Sequence, residues 1–567
     1  MKNAQVARIL YEIAELLALD GVAFKPQAYR RAAGTVESLG EPIESLVAAG
    51  THGELPGVGA AIAKKIAEIV ETGRLEYHET LKAKLPIDLF ELMQVEGVGP
   101  KTAKLLYDEL GVKNLADLER VARAGKIRDV KSLGAKTEER ILRGLAEARR
   151  VEGRILLGTA SDVAADLIDR LQGTGLFARI EPAGSLRRGR ETIGDLDLLA
   201  MTEDAAAAAE AFVSLPEVDE VLAHGETKPS VRLASGIQID LRIVPEPSFG
   251  AALQYFTGSQ AHNIALRKRA VARGWRLSEY GLFDADGQVL AGADEAGVYE
   301  ALGLQAIPPE LREDRGEIAL AERGELPKLV TIDDLRGDLH VHTDASDGKA
   351  SLGEMVQAAR QRGHEYIAIT DHALFAEVIG GLTADGLRRQ IDEIAALNET
   401  LDGFCVLTGV EANIQQDASL DVPDDLLARL DVVIAAVHSH FRLPRDEMTA
   451  RLLRAVEHEH VDILAHPTGR KIGERPAYDA DWDAVFEAAA AHGTALEVNA
   501  NPIRLDLNAD LIRRAVGAGA TIAIGTDAHV PDHFDFLRLG VITARRGWAT
   551  KSNVLNARRV RDLPHGG

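Results

Sequence analysis

Three aspartates in two short apolar runs are the clearest candidates for chemistry in this sequence. Asp195 and Asp197 are separated by one residue, so on a strand both side chains point to the same face. Asp240 lies in an alternating run from Gln238 to Val244, which predicts a neighbouring strand. Three carboxylates on one face repel one another unless divalent cations lie between them, and such a two-metal centre suits nucleotide transfer. We therefore expect a Mg²⁺ site, because Mg²⁺ prefers carboxylate and phosphate oxygens.

A glycine-rich basic segment precedes the aspartate pair. It begins at Gly184, contains Ser185 and Arg188, and ends at Gly194, directly before Asp195. Its hydroxyl, guanidinium and backbone N–H groups suit the oxygens of a triphosphate. An Asp-x-Asp pair alone is common in surface turns, but this segment and the third aspartate favour a catalytic site.

A second group of candidate ligands lies in the C-terminal part, which holds 13 of the 17 histidines. Six short apolar runs there lead into histidines or acids, as at the carboxyl ends of the strands of a β/α barrel. Imidazole mixed with carboxylate favours Zn²⁺ or Mn²⁺. Nine ligands exceed the needs of one tetrahedral ion, so we expect two or three ions suited to hydrolysis of a phosphate ester. The nine are His340, His342, Asp347, His372, Glu411, His438, His466, Asp527 and His529.

Two glycine turns lie in the first 150 residues, which otherwise read as helices. Gly57-Val58-Gly59 is followed by Lys64, and Gly97-Val98-Gly99 is followed by Lys101. Free backbone N–H groups at the start of a helix can point at a phosphate. A tight turn between packed helices is the alternative for a single copy, but two copies with lysines favour contact with a DNA backbone.

The aspartate motif resembles the nucleotidyltransferase motif of family X DNA polymerases, and the run from Tyr255 to Ser259 resembles their nucleotide-binding thumb segment. The resemblance implies that Tyr255 and Phe256 lie against the sugar and exclude ribose. It also implies that Asn263 contacts the incoming base and Arg267 the template side. The nucleotide-binding residues implied are Arg154, Ser185, Arg188, Gly194, Tyr255, Phe256, Gly258, Asn263 and Arg267. The sequence departs from the family pattern at Gln260, which puts base contacts there in doubt.

The N-terminal part resembles two further features of that family. Its glycine turns resemble the helix-hairpin-helix, which grips DNA without reading its sequence. The segment around Lys64 and Lys65 resembles the deoxyribose-phosphate lyase region, where Lys65 matches the lysine that forms a Schiff base. Other basic residues of that pocket are missing, with Ala61 in one of their places, so DNA-backbone binding is the favoured role of these lysines.

The run from Asp338 to Thr343, together with Asp371-His372 and Asp527-Ala528-His529, resembles the polymerase and histidinol phosphatase (PHP) domain. That resemblance implies the same nine metal ligands, with none missing, and therefore a working phosphoesterase. Bacterial family X polymerases join these two modules in this order, so the resemblance covers essentially the whole chain.

The expected fold is multidomain, with α-helical helix-hairpin-helix domains, an α+β palm and thumb, and an α/β barrel like a distorted TIM barrel. We place six segments along the chain: 1–85, a lyase-like helical domain; 86–150, a second helical DNA-binding domain; 151–250, the nucleotidyltransferase palm; 251–320, the thumb; 321–335, a linker; and 336–567, the PHP domain.

Composition is that of a soluble multidomain protein of 567 residues, with 46% hydrophobic and 27% charged residues. Apolar runs fall short of the roughly 18 residues that a membrane span needs. The single cysteine, Cys405, allows no internal disulfide and fits a reducing cytoplasm. The net charge of −23 does not exclude nucleic acid, because binding depends on the local field.

We expect a monomeric, cytoplasmic, nucleoid-associated repair polymerase that binds gapped or primed DNA and deoxynucleoside triphosphates. Its PHP centre is expected to trim 3′-ends in the 3′→5′ direction, with incision at abasic sites as an additional activity. Two alternatives stay open at this point. One is a nuclease that uses the polymerase module as a DNA-binding platform, and the other is a small-molecule phosphatase fused to a nucleotidyltransferase.

Overall fold

The computed structural model describes residues 3–20, 22, 25–37, 43–55, 57–93, 95, 97–151, 153–373 and 381–563. Within them the elements run from helices through two small mixed α/β units to a parallel barrel, which confirms the predicted fold class. Among the described helices, none combines the length and the apolar character required to cross a membrane.

The N-terminal part is helical because its apolar residues recur at helical spacing. In α4, for example, Ile62, Ile66 and Ile69 lie on one buried face. The helices are α1 Asn3–Leu19, α2 Lys25–Glu37, α3 Ile43–Ala49, α4 Ala60–Thr72, α5 Glu76–Lys84, α6 Leu89–Met93, α7 Pro100–Leu110, α8 Leu115–Arg123 and α9 Ala135–Val151. One continuous apolar core joins them.

The segment predicted as the palm contains a five-stranded sheet in the order β2-β4-β7-β6-β5, preceded by a two-stranded pair of β1 and β3. Strands β4 and β7 run parallel, and the other pairs of the five-stranded sheet are antiparallel. Its elements are β1 Ile155–Leu156, α10 Leu157–Gly173, β2 Arg179–Pro182, α11 Gly184–Arg187, β3 Thr192–Ile193, β4 Asp195–Met201, α12 Ala205–Val213, β5 Val218–Ala223, β6 Ser230–Leu233 and β7 Gln238–Ile243.

The thumb packs helices around a three-stranded antiparallel sheet in the order β10-β9-β8. Its elements are α13 Phe249–Thr257, α14 Gln260–Val271, β8 Arg276–Ser278, β9 Gly281–Phe283, β10 Val289–Ala291, α15 Glu295–Ala301 and α16 Glu317–Arg323. Helix α16 extends into the segment predicted as a linker, and Val330 beyond it is fully buried in the core of the barrel. That segment therefore joins the thumb and the barrel through a few buried residues, while about half of its residues are exposed.

The C-terminal part is a seven-stranded parallel sheet whose order follows the chain from β11 to β17. The backbone N–H of His342 donates to the carbonyl oxygen of Ala528 at 2.8 Å, which links the first strand to the segment after the last and nearly closes a barrel. Its elements are β11 Gly337–Val341, α17 Leu352–Gln361, β12 Tyr366–Ile369, α18 Ala384–Asn398, β13 Cys405–Asn413, α19 Asp424–Leu427, β14 Val432–Ala436, α20 Arg445–Val456, β15 Ile463–Leu464, α21 Trp482–His492, β16 Ala495–Asn499, α22 Ala509–Gly517, β17 Ile522–Gly525 and α23 Leu537–Arg546.

The palm and the barrel share a continuous apolar core. Leu505 and Leu539 of the barrel are fully buried among palm residues that include Leu157 and Ile193. Gly158 of α10 lies so close to the barrel that a Cβ there would be 3.0 Å from the Cβ of Pro502. Contact at this spacing requires a bare glycine, so the palm and the barrel are in direct contact.

Candidate functional site

The three aspartates converge because β4 and β7 are parallel neighbours. Asp197 and Asp240 are partners in the strand register, and Asp195 lies two residues before Asp197, on the same face. Gln238 donates from Nε2 to both carboxylate oxygens of Asp240, at 3.3 and 3.4 Å. The three aspartates therefore share one face of the sheet, as their spacing predicts. Their catalytic role stays a prediction.

The glycine-rich segment approaches this cluster closely. Gly184 has a φ of +58°, and a Cβ there would lie 2.1 Å from Oδ2 of Asp197. Gly194 lies beside Arg154, whose Nε donates to Oγ1 of Thr192 at 2.9 Å. The two predicted phosphate-contacting glycines thus flank the aspartates, and Arg154 lies at the segment that leads into β4.

The electrostatics of the cluster fit a divalent cation. Burial, together with the charges of Asp195 and Asp240, raises the pKa of Asp197 to about 7. Carboxylate oxygens are the ligands that Mg²⁺ prefers, and a divalent cation would offset the charge repulsion that the pKa of Asp197 reports. The residues present therefore fit the predicted Mg²⁺.

The predicted nucleotide contacts of the thumb form one connected group. The rings of Tyr255 and Phe256 meet edge to face at 5.2 Å, and Arg267 lies 5.8 Å from the Tyr255 ring. Asn263 donates from Nδ2 to the carbonyl oxygen of Tyr255 at 2.7 Å, and its Oδ1 accepts from Gln254. The Asn263 amide therefore holds the Tyr255 backbone.

Arg188 bridges the palm and the thumb. Its Nε lies 3.2 Å from Oε1 of Glu313, and its Nη1 donates to the carbonyl oxygen of Thr257. Gly258, the next residue after Thr257, has a φ of +69°. A Cβ at Gly258 would lie 3.2 Å from Nη1 of Arg188, which is a tight contact. Neighbouring Ser185 lies in α11, so the structure brings the segment 184–188 against the start of the thumb.

The two glycine turns have the same construction. Gly57 and Gly97 have φ values of +75° and +90°, and Gly59 and Gly99 directly precede helices α4 and α7. Val58 and Val98 are buried between them. The turns thus expose the N-termini of two helices beside lysines, Lys64 and Lys101, whose side chains are exposed. This geometry is the one that a DNA backbone clamp requires.

Lys65 lines a surface depression of about 630 Å³ together with Ala61, Lys64 and Tyr77. Its Nζ lies 5.0 Å from the centre of the Tyr77 ring and 3.5 Å from the carbonyl oxygen of Ala61. The Lys65 amine thus opens on a depression whose lining also includes the carboxylates of Glu68 and Glu76.

The nine predicted ligands meet at one end of the barrel. Three overlapping groups have ligand atoms within 4.8 Å of one another, namely His342 with Asp347, His372 and His529; His340 with His342 and Asp527; and His372 with Glu411 and His438. His466 joins them through Nε2, which lies 3.0 Å from Oε1 of Glu411. His340 and Glu411 lie within β11 and β13, whereas the sequence pattern predicts that both follow strands.

The chemistry of this cluster fits two or three transition-metal ions. Burial alone would raise the pKa of Glu411. The charges of His372, His438 and His340 nevertheless lower this pKa well below its usual range. Nδ1 of His342 is buried without a hydrogen-bond partner in the described part of the chain. Imidazole nitrogens with free lone pairs among ionised carboxylates are a donor set suited to Zn²⁺ or Mn²⁺.

Sequence reasoning missed one strand and the acid that it carries. Strand β16 places Glu497 at the cluster, with Oε1 2.6 Å from Nδ1 of His340 and Oε2 accepting from the backbone N–H of His466 at 2.6 Å. Asn499, two residues later, donates to Asp527 at 3.1 Å. The only sequence signal for Glu497 is that it lies inside the apolar run of β16, whereas the predicted ligands follow such runs.

Four family models match parts of the chain. The helix-hairpin-helix domain matches residues 1–75, and the SAM-like helix-hairpin-helix tandem matches residues 89–147. The DNA polymerase beta thumb matches residues 252–313, and the PHP domain matches residues 338–501. These matches confirm the predicted helix-hairpin-helix, thumb and PHP types, in the predicted order.

Similarity to curated proteins extends over both centres. The protein named "DNA polymerase/3'-5' exonuclease PolX" of Bacillus subtilis (strain 168) is 39% identical over 571 residues, which cover 99% of each chain. A "Probable phosphatase" of Shewanella oneidensis is 33% identical over 204 residues, 34% of this chain and 76% of that protein. One from Caldanaerobacter subterraneus subsp. tengcongensis is 30% identical over the same shares.

Proposed function

The chain belongs to the family X DNA polymerases that carry a C-terminal PHP domain, and on that premise we propose that it fills short gaps in DNA. It adds deoxynucleotides to a primer 3′-end at the aspartate centre and hydrolyses DNA from 3′-ends at the PHP centre. The observation that carries the first activity is the register that sets Asp197 beside Asp240. The nine-ligand cluster carries the second.

In the polymerase reaction, Asp195, Asp197 and Asp240 would hold two Mg²⁺ ions, which favour the ionised 3′-hydroxyl and stabilise the leaving pyrophosphate. Ser185, Arg188 and the nearby backbone N–H groups bind the triphosphate, with Arg154 and Gly194 at its edge. Tyr255 and Phe256 orient the sugar, Asn263 meets the base and Arg267 the template side. Holding the reactants in this way supplies much of the rate enhancement expected of phosphoryl transfer.

In the hydrolytic reaction, the nine PHP ligands would hold two or three Mn²⁺ or Zn²⁺ ions, which supply hydroxide at neutral pH and bind the scissile phosphate. Glu497 and Asn499 orient His340 and Asp527 through hydrogen bonds. We propose 3′→5′ trimming as the main activity and incision at abasic sites as an additional one.

Both centres act on gapped or primed DNA. We assign contacts with the DNA backbone to the two glycine turns. The same role is proposed for Lys64 and Lys65, in preference to lyase chemistry. Borohydride reduction in the presence of abasic DNA tests that choice. No covalent adduct is expected, and an adduct that Lys65→Ala abolishes would contradict it.

The test of the proposed function uses a 5′-labelled gapped duplex incubated with Mg²⁺ or Mn²⁺, with and without nucleotides. Longer products with nucleotides and shorter products without them are expected. Strong shortening without any extension would favour a nuclease that uses the polymerase module as a DNA-binding platform.

A second candidate for the PHP centre is a phosphatase acting on small molecules, favoured by the similarity to proteins named "Probable phosphatase". Turnover of a phosphomonoester at a higher kcat/KM than an oligonucleotide would support this candidate. The glycine turns favour DNA, because they bring a nucleic-acid backbone to the same chain.

A further inference from the structure

Helix α23 of the barrel lies directly against the glycine-rich segment of the palm. Gly189, in the middle of that segment, has a φ of +65°, and a Cβ there would lie 2.1 Å from Cγ2 of Ile542. The backbone of the segment therefore rests on the helix, with no side chain of residue 189 between them. A displacement of α23 would reach the residues on either side of Gly189.

The last residue of α23, Arg546, completes a cluster of three arginines around one carboxylate. Oε1 of Glu313 lies 3.2 Å from Nε of Arg188, 3.1 Å from Nη2 of Arg546 and 3.7 Å from Nη1 of Arg190. Glu313 and Arg546 are largely buried, with 15% and 6% of their side chains exposed. Arg546 also donates from Nη1 to the backbone carbonyl oxygen of Arg188.

These contacts place Glu313 in competition with a nucleotide. Arg188 is the guanidinium that the proposed function assigns to the triphosphate, and here a carboxylate occupies part of its hydrogen-bonding capacity. When Arg188 turns to a triphosphate, Glu313 loses one cationic partner inside a largely buried site. A buried carboxylate without a partner is strongly unfavourable. The ion pair of Glu313 with Arg546 therefore decides how readily Glu313 releases Arg188.

We propose that Arg546 of the barrel is a positioning residue for the polymerase centre: it retains Glu313 while Arg188 binds the incoming triphosphate. The inference rests on the proposed function, because it needs Arg188 to be a triphosphate ligand. It makes the affinity of the palm for nucleotide depend on a side chain of the PHP domain. Arg545, the preceding residue, pairs instead with Glu310 and does not reach Arg188.

The test compares primer extension by the full-length chain and its variants over a range of nucleotide concentrations. In Arg546→Gln, Glu313 stays on Arg188, so KM for the nucleotide should rise about tenfold while kcat changes less than about threefold. Arg546→Lys, which keeps the charge, should restore most of the difference. Adding Glu313→Gln to Arg546→Gln removes the competing carboxylate, and KM should return to within about threefold of wild type.

Arg538→Gln is the matched control, because Arg538 lies on the same helix and pairs with the palm through exposed Asp162. Its KM should equal that of wild type. If Arg546→Gln does not fold, Glu313→Gln alone replaces it, and KM should then fall. PHP hydrolysis by each variant reports that the barrel is intact.

Three results would overturn the inference while leaving the proposed function in place. The first is an unchanged KM in Arg546→Gln, and the second is a raised KM that Glu313→Gln does not reverse, as loosened packing alone would give. The third is a raised KM in Glu313→Gln alone. A wild-type chain that extends no primer overturns the proposed function, and this inference with it.

Discussion

Oε1 of Glu497 lies 2.6 Å from Nδ1 of His340, and the second oxygen of the same carboxylate accepts a hydrogen bond from the backbone N–H of His466. One buried acid thus orients two of the nine candidate ligands. Carboxylates that hold a ligating imidazole in this way fix its tautomer and raise its basicity.

Glu497→Gln should therefore weaken metal binding and PHP hydrolysis by about 10- to 100-fold, and leave primer extension unchanged. The measurement is the Mn²⁺ concentration that gives half-maximal hydrolysis of a 3′-labelled oligonucleotide. Glu487→Gln, on the exposed face of α21, is the control and should behave like wild type. Unaltered Mn²⁺ dependence in Glu497→Gln would show that the acid does not support the metal centre.

Gly184→Ala should abolish most primer extension, because the new Cβ would lie 2.1 Å from Oδ2 of Asp197 and φ is +58°. Either the segment or the aspartate must move, and displacements of about 1 Å at a reacting centre can reduce the rate about 100-fold. Single-turnover extension measures the effect. Gly175→Ala is a matched control, since Gly175 has a φ of +73° but nothing within 4 Å of the built Cβ. Equal rates in the two variants would mean that close approach to Asp197 is unimportant.

Lys101→Ala should weaken binding of gapped DNA at every sequence and reduce the salt dependence of affinity by about one phosphate contact. The side chain is exposed at the start of α7, beside the second glycine turn. Fluorescence anisotropy at several salt concentrations gives the slope. Lys104→Ala should leave the slope unchanged, because Lys104 is already paired with Asp108 at 2.6 Å. If both variants have the wild-type slope, this turn does not contact the backbone.

Glu295 makes the junction of palm and thumb sensitive to acid. Burial alone would raise the pKa of Glu295. The hydrogen bond from Arg187 and the charge of Arg312 nevertheless lower this pKa to about 2. Because the folded value lies below the unfolded one, the stabilisation is complete above about pH 4.5 and disappears as the pH falls towards 2.

The free energy of unfolding of Glu295→Gln should accordingly be lower than that of wild type by on the order of 3 kcal/mol at pH 7, with a smaller gap at pH 3. Calorimetry at the two pH values measures it. Glu300→Gln, exposed on the same helix, should show no such dependence. A gap that stays constant with pH would contradict the assigned ion pairs.

The sequence predicted both clusters because their members lie beside short apolar runs, where local patterns are informative. Asp195, Asp197 and Asp240 needed only two strands in parallel register. The sequence did not predict Glu497, because a glutamate inside a buried strand breaks the apolar run that would mark it. It also could not pair Glu313 with Arg546, since an ion pair between residues 233 positions apart leaves no local pattern.

The aspartate centre and the PHP centre are expected to carry out two independent phosphate chemistries in one chain. The most direct measurement is primer extension and Mn²⁺-dependent hydrolysis, each assayed on Asp240→Ala and His342→Ala at matched stability. Asp240→Ala should lose extension and retain hydrolysis, and His342→Ala should do the reverse. Loss of both activities in either folded variant would show that the two centres do not act independently.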